Sequence, residues 1–109
     1  MAIQHIESGE PVSVLPPASA PGDRQTVALF KTEELEVMRL VLPNGKTMPP
    51  HKVAGDITVQ CLEGSISFNS DGKDQVLVAG DMLYLAGGVM HSLTGVEDAC
   101  ALVHIVLRK

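Results

Sequence analysis

Short apolar runs separated by turn residues fill the chain from residue 25 onward. The runs are 25–30, 34–42, 57–62, 65–68, 75–78, 82–86, 91–94 and 99–107. Between them a glycine returns every 7 to 10 residues from Gly45 to Gly95. Strands of five or six residues joined by tight turns produce this rhythm, so the pattern predicts an all-β sandwich or barrel.

The run 34–42 fits two interpretations, because its apolar residues satisfy both a helical spacing and a strand-like alternation. It ends in Pro-Asn-Gly at 43–45, which is a turn signal. No capping box starts it, since Thr32 is followed three residues later by Leu35 rather than by Glu or Gln. We therefore predict a strand.

Residues 1–24 differ from the rest, because four prolines and two glycines in this stretch exclude a regular helix. We predict an extended N-terminal arm over 1–24, with short strands around Ile3–Ile6 and Val12–Leu15, ahead of a barrel over 25–109. The arm is expected to pack along the barrel edge or on a neighbouring subunit. A loose tail is the alternative.

Composition limits the partners of the chain. It has 109 residues, one ordinary domain, with 45% apolar and 19% charged residues. The net charge is −5 and the eight Lys and Arg residues are scattered, which argues against nucleic acid. No apolar stretch reaches the roughly 20 residues of a membrane span. The N-terminus lacks the pattern of a secretory signal, so a cytoplasmic location is expected.

The last run, 99–107, is apolar at nearly every position, which is typical of a strand covered on both faces. In a small barrel the outer face is covered by the N-terminal arm or by a second subunit. The second subunit is the expected cover, so we predict a homodimer. Cys61 and Cys100 lie within apolar runs. Free, buried thiols are the expected state of both in a reducing cell. No CxxC or CxH spacing indicates a zinc site.

Two stretches resemble the paired motifs of the cupin family. The first family motif runs Gly, five residues, His-x-His, three or four residues, Glu, six residues, Gly. Here it spans Gly45 to Gly64 with every spacing kept and His51 in the first histidine position. Val53 stands at the second histidine and Ile57 at the glutamate.

The second family motif runs Gly, five residues, Pro-x-Gly, two residues, His, three residues, Asn. In this chain Gly80, Gly88 and His91 match it. Ala86 replaces the proline and Gly95 replaces the asparagine.

The resemblance covers about residues 35 to 107. It implies a cupin-type double-stranded β-helix, an RmlC-like jelly-roll barrel, with His51 and His91 in one pocket. The family's metal is held by three histidines and one glutamate, of which two histidines are kept here. The resemblance therefore implies at most a weakly held divalent metal (Fe, Mn, Ni or Zn) with His51 and His91 as ligands, and the alternative is a metal-free pocket.

Other pocket residues follow from strand alternation and from proximity in sequence. If Ile57 points inward, Val59 and Cys61 do too, and Gln60 points outward. His104 lies within an apolar strand, where a lone histidine is more often a core or interface residue than a metal ligand. Asp56 reaches the glutamate position only through a bulge. The expected pocket residues are Met48, Val53, Ile57, Val59, Cys61, Met90 and His104.

Three functions fit these features. The first is a barrel that binds a small organic molecule, with His51 and His91 as polar anchors. The second is a metal-dependent oxygenase, isomerase or decarboxylase that uses the same two ligands. The third is a structural or regulatory dimer with a vestigial pocket. No nucleophile elbow, Walker loop or dinucleotide fingerprint occurs in the sequence.

Overall fold

The computed structural model describes residues 5–16 and 24–107, and no residue of these two ranges is helical. The strands are β1 (Val27–Lys31), β2 (Leu35–Leu42), β3 (Thr47–His51), β4 (Ile57–Ser70), β5 (Lys73–Val78), β6 (Met82–Leu85) and β7 (His91–Val106). All their pairings are antiparallel. The predicted all-β class is confirmed, and the ambiguous run 34–42 forms strand β2.

Strands β4 and β7 pair with each other along most of their length, and each serves two leaves of the sheet. The first half of β4 (57–60) pairs with β6, and its second half (65–70) pairs with β5. The first half of β7 (91–94) pairs with β3, and its second half (99–106) pairs with β2 and so reaches β1. The two leaves share one interior core (Leu40, Leu42, Ile57, Val59, Cys61, Ile66, Phe68, Leu77, Leu85, Leu93, Ala99 and Ala101).

The sequence pattern split each of these long strands into two. The runs 57–62 and 65–68 belong to one strand, and so do 91–94 and 99–107. The register between β4 and β7 shifts three times between Cys61 and Ile66, where β4 leaves one leaf and enters the other. The residues predicted as a turn at 63–64 are therefore an irregular bend within a continuous strand.

Strand β3 has no counterpart among the predicted runs, because its sequence, TMPPH, contains Pro49 and Pro50. Proline lacks the backbone N–H and is confined to edge strands and irregularities of a sheet. The pairing of β3 with β7 is irregular between Met48 and His51, so the prolines fall where the ladder is already interrupted.

The two cysteines are free and buried, as expected from their apolar surroundings. Burial raises the pKa of the Cys61 thiol and raises that of Cys100 to about 11. Both side chains are therefore uncharged thiols at neutral pH, which makes them poor nucleophiles.

A second apolar cluster lies on the outer face of β1, β2 and β7, and the N-terminal arm contacts it. Val27, Leu29, Val37 and Leu102 form the cluster, with Val14 of the arm packed against it. The arm is also tied to β1 by a hydrogen bond from the Ile6 N–H to the Leu29 carbonyl (3.0 Å).

The arm thus lies on the barrel, but its predicted strands are wrong wherever the structure describes them. Residues 5–16, which include Val12–Leu15, form no strand, and Ile3 and Gln4 lie outside the described residues. Within residues 5–16, the arm is held on the barrel by the Ile6–Leu29 hydrogen bond and by the packing of Val14, without a strand ladder. The boundary between residues 24 and 25, the homodimer and the cytoplasmic location stay predictions. In the part of the chain that the structure describes, no helix has the length and apolarity to cross a membrane.

Arg39 fastens the arm to the outer face. Its side chain is 6% exposed, and its Nη1 donates hydrogen bonds to the backbone carbonyls of Ser13 (3.4 Å) and Leu15 (3.2 Å). Its Nε atom is buried without a hydrogen-bond partner. The guanidinium group is therefore placed to satisfy carbonyls of a segment that has no regular strand pairing of its own.

We expect Arg39→Met to release the arm while the barrel stays folded. The loss of two hydrogen bonds from a charged donor, about 1–2 kcal/mol, raises the open fraction of the arm roughly 5- to 30-fold. Limited proteolysis with thermolysin should then cleave near Val12 and Val14 faster by that factor. The matched control is Lys31→Met at an exposed site. Equal cleavage rates of the Arg39→Met variant and the wild type would show that Arg39 does not hold the arm.

Candidate functional site

A cavity of about 80 Å³ opens to solvent between the leaves of the barrel. Of the described residues that line it, nine are apolar and the other two are His51 and His91. The lining residues are Met38, Leu40, Met48, His51, Val53, Ile57, Val59, His91, Leu93, Val103 and Ile105. A dry wall with two polar groups is typical of a site for a largely apolar molecule.

The pairing of β3 with β7 brings the two histidines together. His51 ends β3 and lies directly across from His91, the first residue of β7. Their ring centroids are 4.4 Å apart and the rings are tilted by 56°. Two residues forty positions apart in the chain therefore form one polar group on the cavity wall.

Each imidazole is oriented by a backbone carbonyl two residues earlier. The Nδ1 atom of His51 is 3.1 Å from the Pro49 oxygen, and that of His91 is 3.0 Å from the Val89 oxygen. A carbonyl oxygen only accepts hydrogen bonds, so Nδ1 carries the proton in both rings. In a neutral ring this leaves Nε2 as the acceptor. Neither Nε2 has a hydrogen-bond partner within residues 5–16 and 24–107.

His91 is the more enclosed of the pair, with 4% of its surface exposed. Its ring stacks on Phe68, with centroids 5.7 Å apart and planes within 9° of each other. Phe68 is itself fully buried, so the stack fixes the His91 ring from behind. The ring is also part of the cavity wall, so one side of it faces that space.

Four of the predicted pocket residues lie on the cavity wall together with both histidines. They are Met48, Val53, Ile57 and Val59. The inward alternation of β4 accounts for Ile57 and Val59, whose neighbours Thr58 and Gln60 belong to the other face.

Cys61 is a correction to the predicted pocket. It shares the inward face of Ile57 and Val59, but it lies deeper, in the packed core, with none of its surface exposed. Its thiol donates a hydrogen bond to the Glu63 carbonyl (3.3 Å). Alternation identifies the face of a strand on which a residue lies but not its depth in the barrel. The prediction therefore extended the pocket from Val59 to Cys61, which belongs to the core.

Met90 and His104 are also corrections, because both side chains lie on the other face of their segment. Met90 precedes the inward His91 and is 51% exposed. His104 falls between the inward Val103 and Ile105, and its Nδ1 is 3.1 Å from the Thr58 hydroxyl on the outer face.

The sequence analysis missed five wall residues, which come from the inward faces of β2 and β7. They are Met38, Leu40, Leu93, Val103 and Ile105. Alternation within 34–42 and 99–107 holds the signal for four of them. It was hidden because both faces of these strands are apolar, so the inward set does not stand out.

The donor set does not fit the divalent metal that the family resemblance implies. No group of three or more His, Cys, Asp or Glu side chains close enough to hold an ion occurs among the described residues. The Asp56 carboxylate does not replace the glutamate of the family motif, because its Oδ1 accepts a hydrogen bond from the Gly87 N–H (3.0 Å). Two neutral imidazoles offer no negative charge to offset the dehydration of a divalent ion.

Comparison with known proteins shows what the chain resembles. No protein-family model and no curated protein matches it. A conserved protein of unknown function from Streptococcus pyogenes superposes with a TM-score of 0.78 at 19% identity, over 100% of this chain and 96% of that one. A cupin superfamily protein from Desulfitobacterium hafniense gives 0.79 at 17% identity, over 96% and 97%.

A third similar structure describes the fold in words. It is an RmlC-like cupin family protein with a double-stranded β-helix fold from Methanocaldococcus jannaschii, with a TM-score of 0.74 at 18% identity over 93% of this chain and 94% of that one. Sequence identities this low establish a shared fold but not a shared activity. The chain has the double-stranded β-helix fold of the RmlC-like cupin proteins.

Proposed function

We propose that the chain is a small-molecule-binding barrel in which His51 and His91 anchor the polar end of a largely apolar ligand. The observation that carries the proposal is the pair of imidazoles, 4.4 Å apart and fixed through Nδ1, on the wall of an otherwise apolar cavity. Apolar contact supplies affinity at roughly 25 cal/mol per Å² removed from water, and the two acceptors supply orientation.

Val53 and Ile57 support this proposal over a metal-dependent enzyme. Both side chains line the cavity at the positions where the family resemblance expects a second histidine and a glutamate. These two apolar side chains lower the polarity of the cavity and provide no ligand atoms for iron, manganese, nickel or zinc. The hydrogen bonds to Nδ1 would orient a metal-ligating imidazole as well as a hydrogen-bonding one. The enzyme, whether oxygenase, isomerase or decarboxylase, is therefore the second candidate.

The test combines metal analysis with an NMR titration of untagged protein, using phenol as the probe. We expect well under one metal ion per chain, and a phenol Kd in the millimolar range, about −4 kcal/mol. At least one of His51→Ala and His91→Ala should weaken phenol binding about 2- to 10-fold, because phenol donates a single hydrogen bond and loses its acceptor in that variant. His104→Ala is the matched control, because this histidine lies on the outer face, and it should bind phenol as the wild type does.

Two results would contradict the proposal. Stoichiometric iron, manganese, nickel or zinc that is lost in both cavity variants and kept in His104→Ala would favour the enzyme. Phenol-induced shifts that miss the cavity residues, in a protein without metal, would favour the vestigial pocket.

A further inference from the structure

We infer that the cavity selects a neutral molecule whose polar end is an NH2 group on unsaturated carbon, as in an aromatic amine. This inference rests on the proposed function and adds the chemical class of the ligand to it. Three features of the site lead to it: the number of acceptors, the absence of charge on the wall, and the enclosure of His91.

The two acceptors require two protons from the ligand. Both Nδ1 atoms donate to backbone carbonyls, so each imidazole in its neutral form offers the lone pair of Nε2. The rings lie 4.4 Å apart, which is close enough for one ligand atom to reach both. A hydroxyl group donates one hydrogen bond and would leave the second imidazole unpaired in an apolar cavity. An NH2 group donates two from a single atom and satisfies both.

The charge of the ligand is limited by what the wall lacks. Among the residues that the structure describes, no Lys, Arg, Asp or Glu lines the cavity. A carboxylate or phosphate would meet two lone pairs and apolar side chains, and burial of an unpaired ion costs several kcal/mol. An ammonium group would find no carboxylate partner. The polar end is therefore neutral at physiological pH, which an amino group on an aromatic ring is and an alkylamine is not.

The size and enclosure of the cavity orient the ligand. An engineered protein cavity of about 150 Å³ holds a benzene molecule. The 80 Å³ here encloses roughly half of a benzene-sized ligand. His91 is buried, so the group bonded to it is the enclosed end. The apolar remainder of the molecule then extends toward the partly exposed side chains of the wall, such as Met48 and Val53.

The experiment compares aniline, N-methylaniline, toluene and benzoate by NMR titration. Aniline and toluene have nearly the same shape and differ in two N–H donors, and N-methylaniline has one. The variants are His51→Phe and His91→Phe, which keep a ring and remove the acceptor, with His104→Phe on the outer face as control. Because toluene serves as the reference within each protein, differences in ligand hydrophobicity cancel.

We expect the ratio of the toluene Kd to the aniline Kd to fall about fivefold in each cavity variant and to stay unchanged in His104→Phe. N-methylaniline should lose affinity in only one of the two variants, and benzoate should bind at least 100-fold more weakly than aniline. In wild-type protein with ¹⁵N-labelled histidine, aniline should shift Nε2 of both His51 and His91 and leave His104 in place. This last measurement needs no variant and holds if a substituted protein does not fold.

The inference is overturned, with the proposed function intact, if toluene and aniline both bind in the cavity and the ratio of their Kd values in either variant equals that of the wild type. It is likewise overturned if benzoate binds more tightly than aniline. If none of the neutral probes binds in the cavity of the wild-type protein, the proposed function fails and the inference fails with it.

Discussion

Replacement of Gly64 by alanine is expected to lower the free energy of unfolding by about 3 kcal/mol or more. Gly64 has a φ of +69°, a conformation that costs other residues about 1–2 kcal/mol. A Cβ atom here would also meet the backbone oxygen of Asp98 and lie 2.8 Å from its carbonyl carbon. The obstacle is backbone on β7, so no side-chain rotation relieves it, and overpacking of this kind adds about 1–3 kcal/mol.

Gly72→Ala separates the two causes, because Gly72 has a φ of +76° but no atom within 4 Å of its would-be Cβ. We expect Gly72→Ala to cost only the backbone term of about 1–2 kcal/mol. Urea denaturation of both variants beside the wild type gives the two losses, with the m-value as a check on two-state unfolding. Similar losses for the two variants would mean that the approach of Gly64 to β7 has no energetic weight.

Gly64 also shows how the family motif relates to the physics of the fold. The motif spacing located this glycine from the sequence. A glycine is needed here because β4 bends where it changes leaf, and the bend brings the β4 backbone against Asp98. Gly95, which stands where the family motif has asparagine, has a comparable reason, since a Cβ there would meet the backbone oxygens of Leu42 and Pro43.

Six of the seven strands were predictable because each carries one or two runs of apolar residues bounded by turn residues. The juxtaposition of His51 and His91 was predictable through the family resemblance, whose two motifs fall on paired strands. Strand β3 was not predictable, since the prolines that interrupt its ladder are a signal against a strand. The path of the arm was not predictable either, because it depends on Arg39, whose buried position interrupts the apolar pattern of β2.

The outward position of His104 illustrates the limit of alternation in a doubly covered strand. Val103, His104 and Ile105 lie in a run where both faces are apolar, so nothing in the pattern says which residues point inward. The choice depends on the pairing of Thr58 with His104, which places both side chains on the outer face. Depth within the barrel, which separates Cys61 from Val59, is likewise a property of three-dimensional packing.

The second large effect is expected at Phe68, because this residue serves both the core and the site. Phe68 is among the largest fully buried side chains of the described residues, and it stacks on the His91 ring. Phe68→Ala should lower the free energy of unfolding by about 3–5 kcal/mol, through lost burial and the cavity left behind. The matched control is the same substitution at Phe30, whose side chain is partly buried against the outer cluster and lies away from the histidines.

The same substitution should also weaken ligand binding, although Phe68 does not line the cavity. Without the phenyl ring behind it, His91 keeps its hydrogen bond to Val89 but gains freedom to rotate, and holding its Nε2 in place then costs conformational entropy. Phe68→Leu keeps most of the apolar volume and should cost less than half as much stability as Phe68→Ala. If the stack positions His91, Phe68→Leu weakens phenol binding about 2- to 5-fold while Phe30→Leu does not. Unchanged affinity in Phe68→Leu would mean that the Val89 hydrogen bond alone orients the ring.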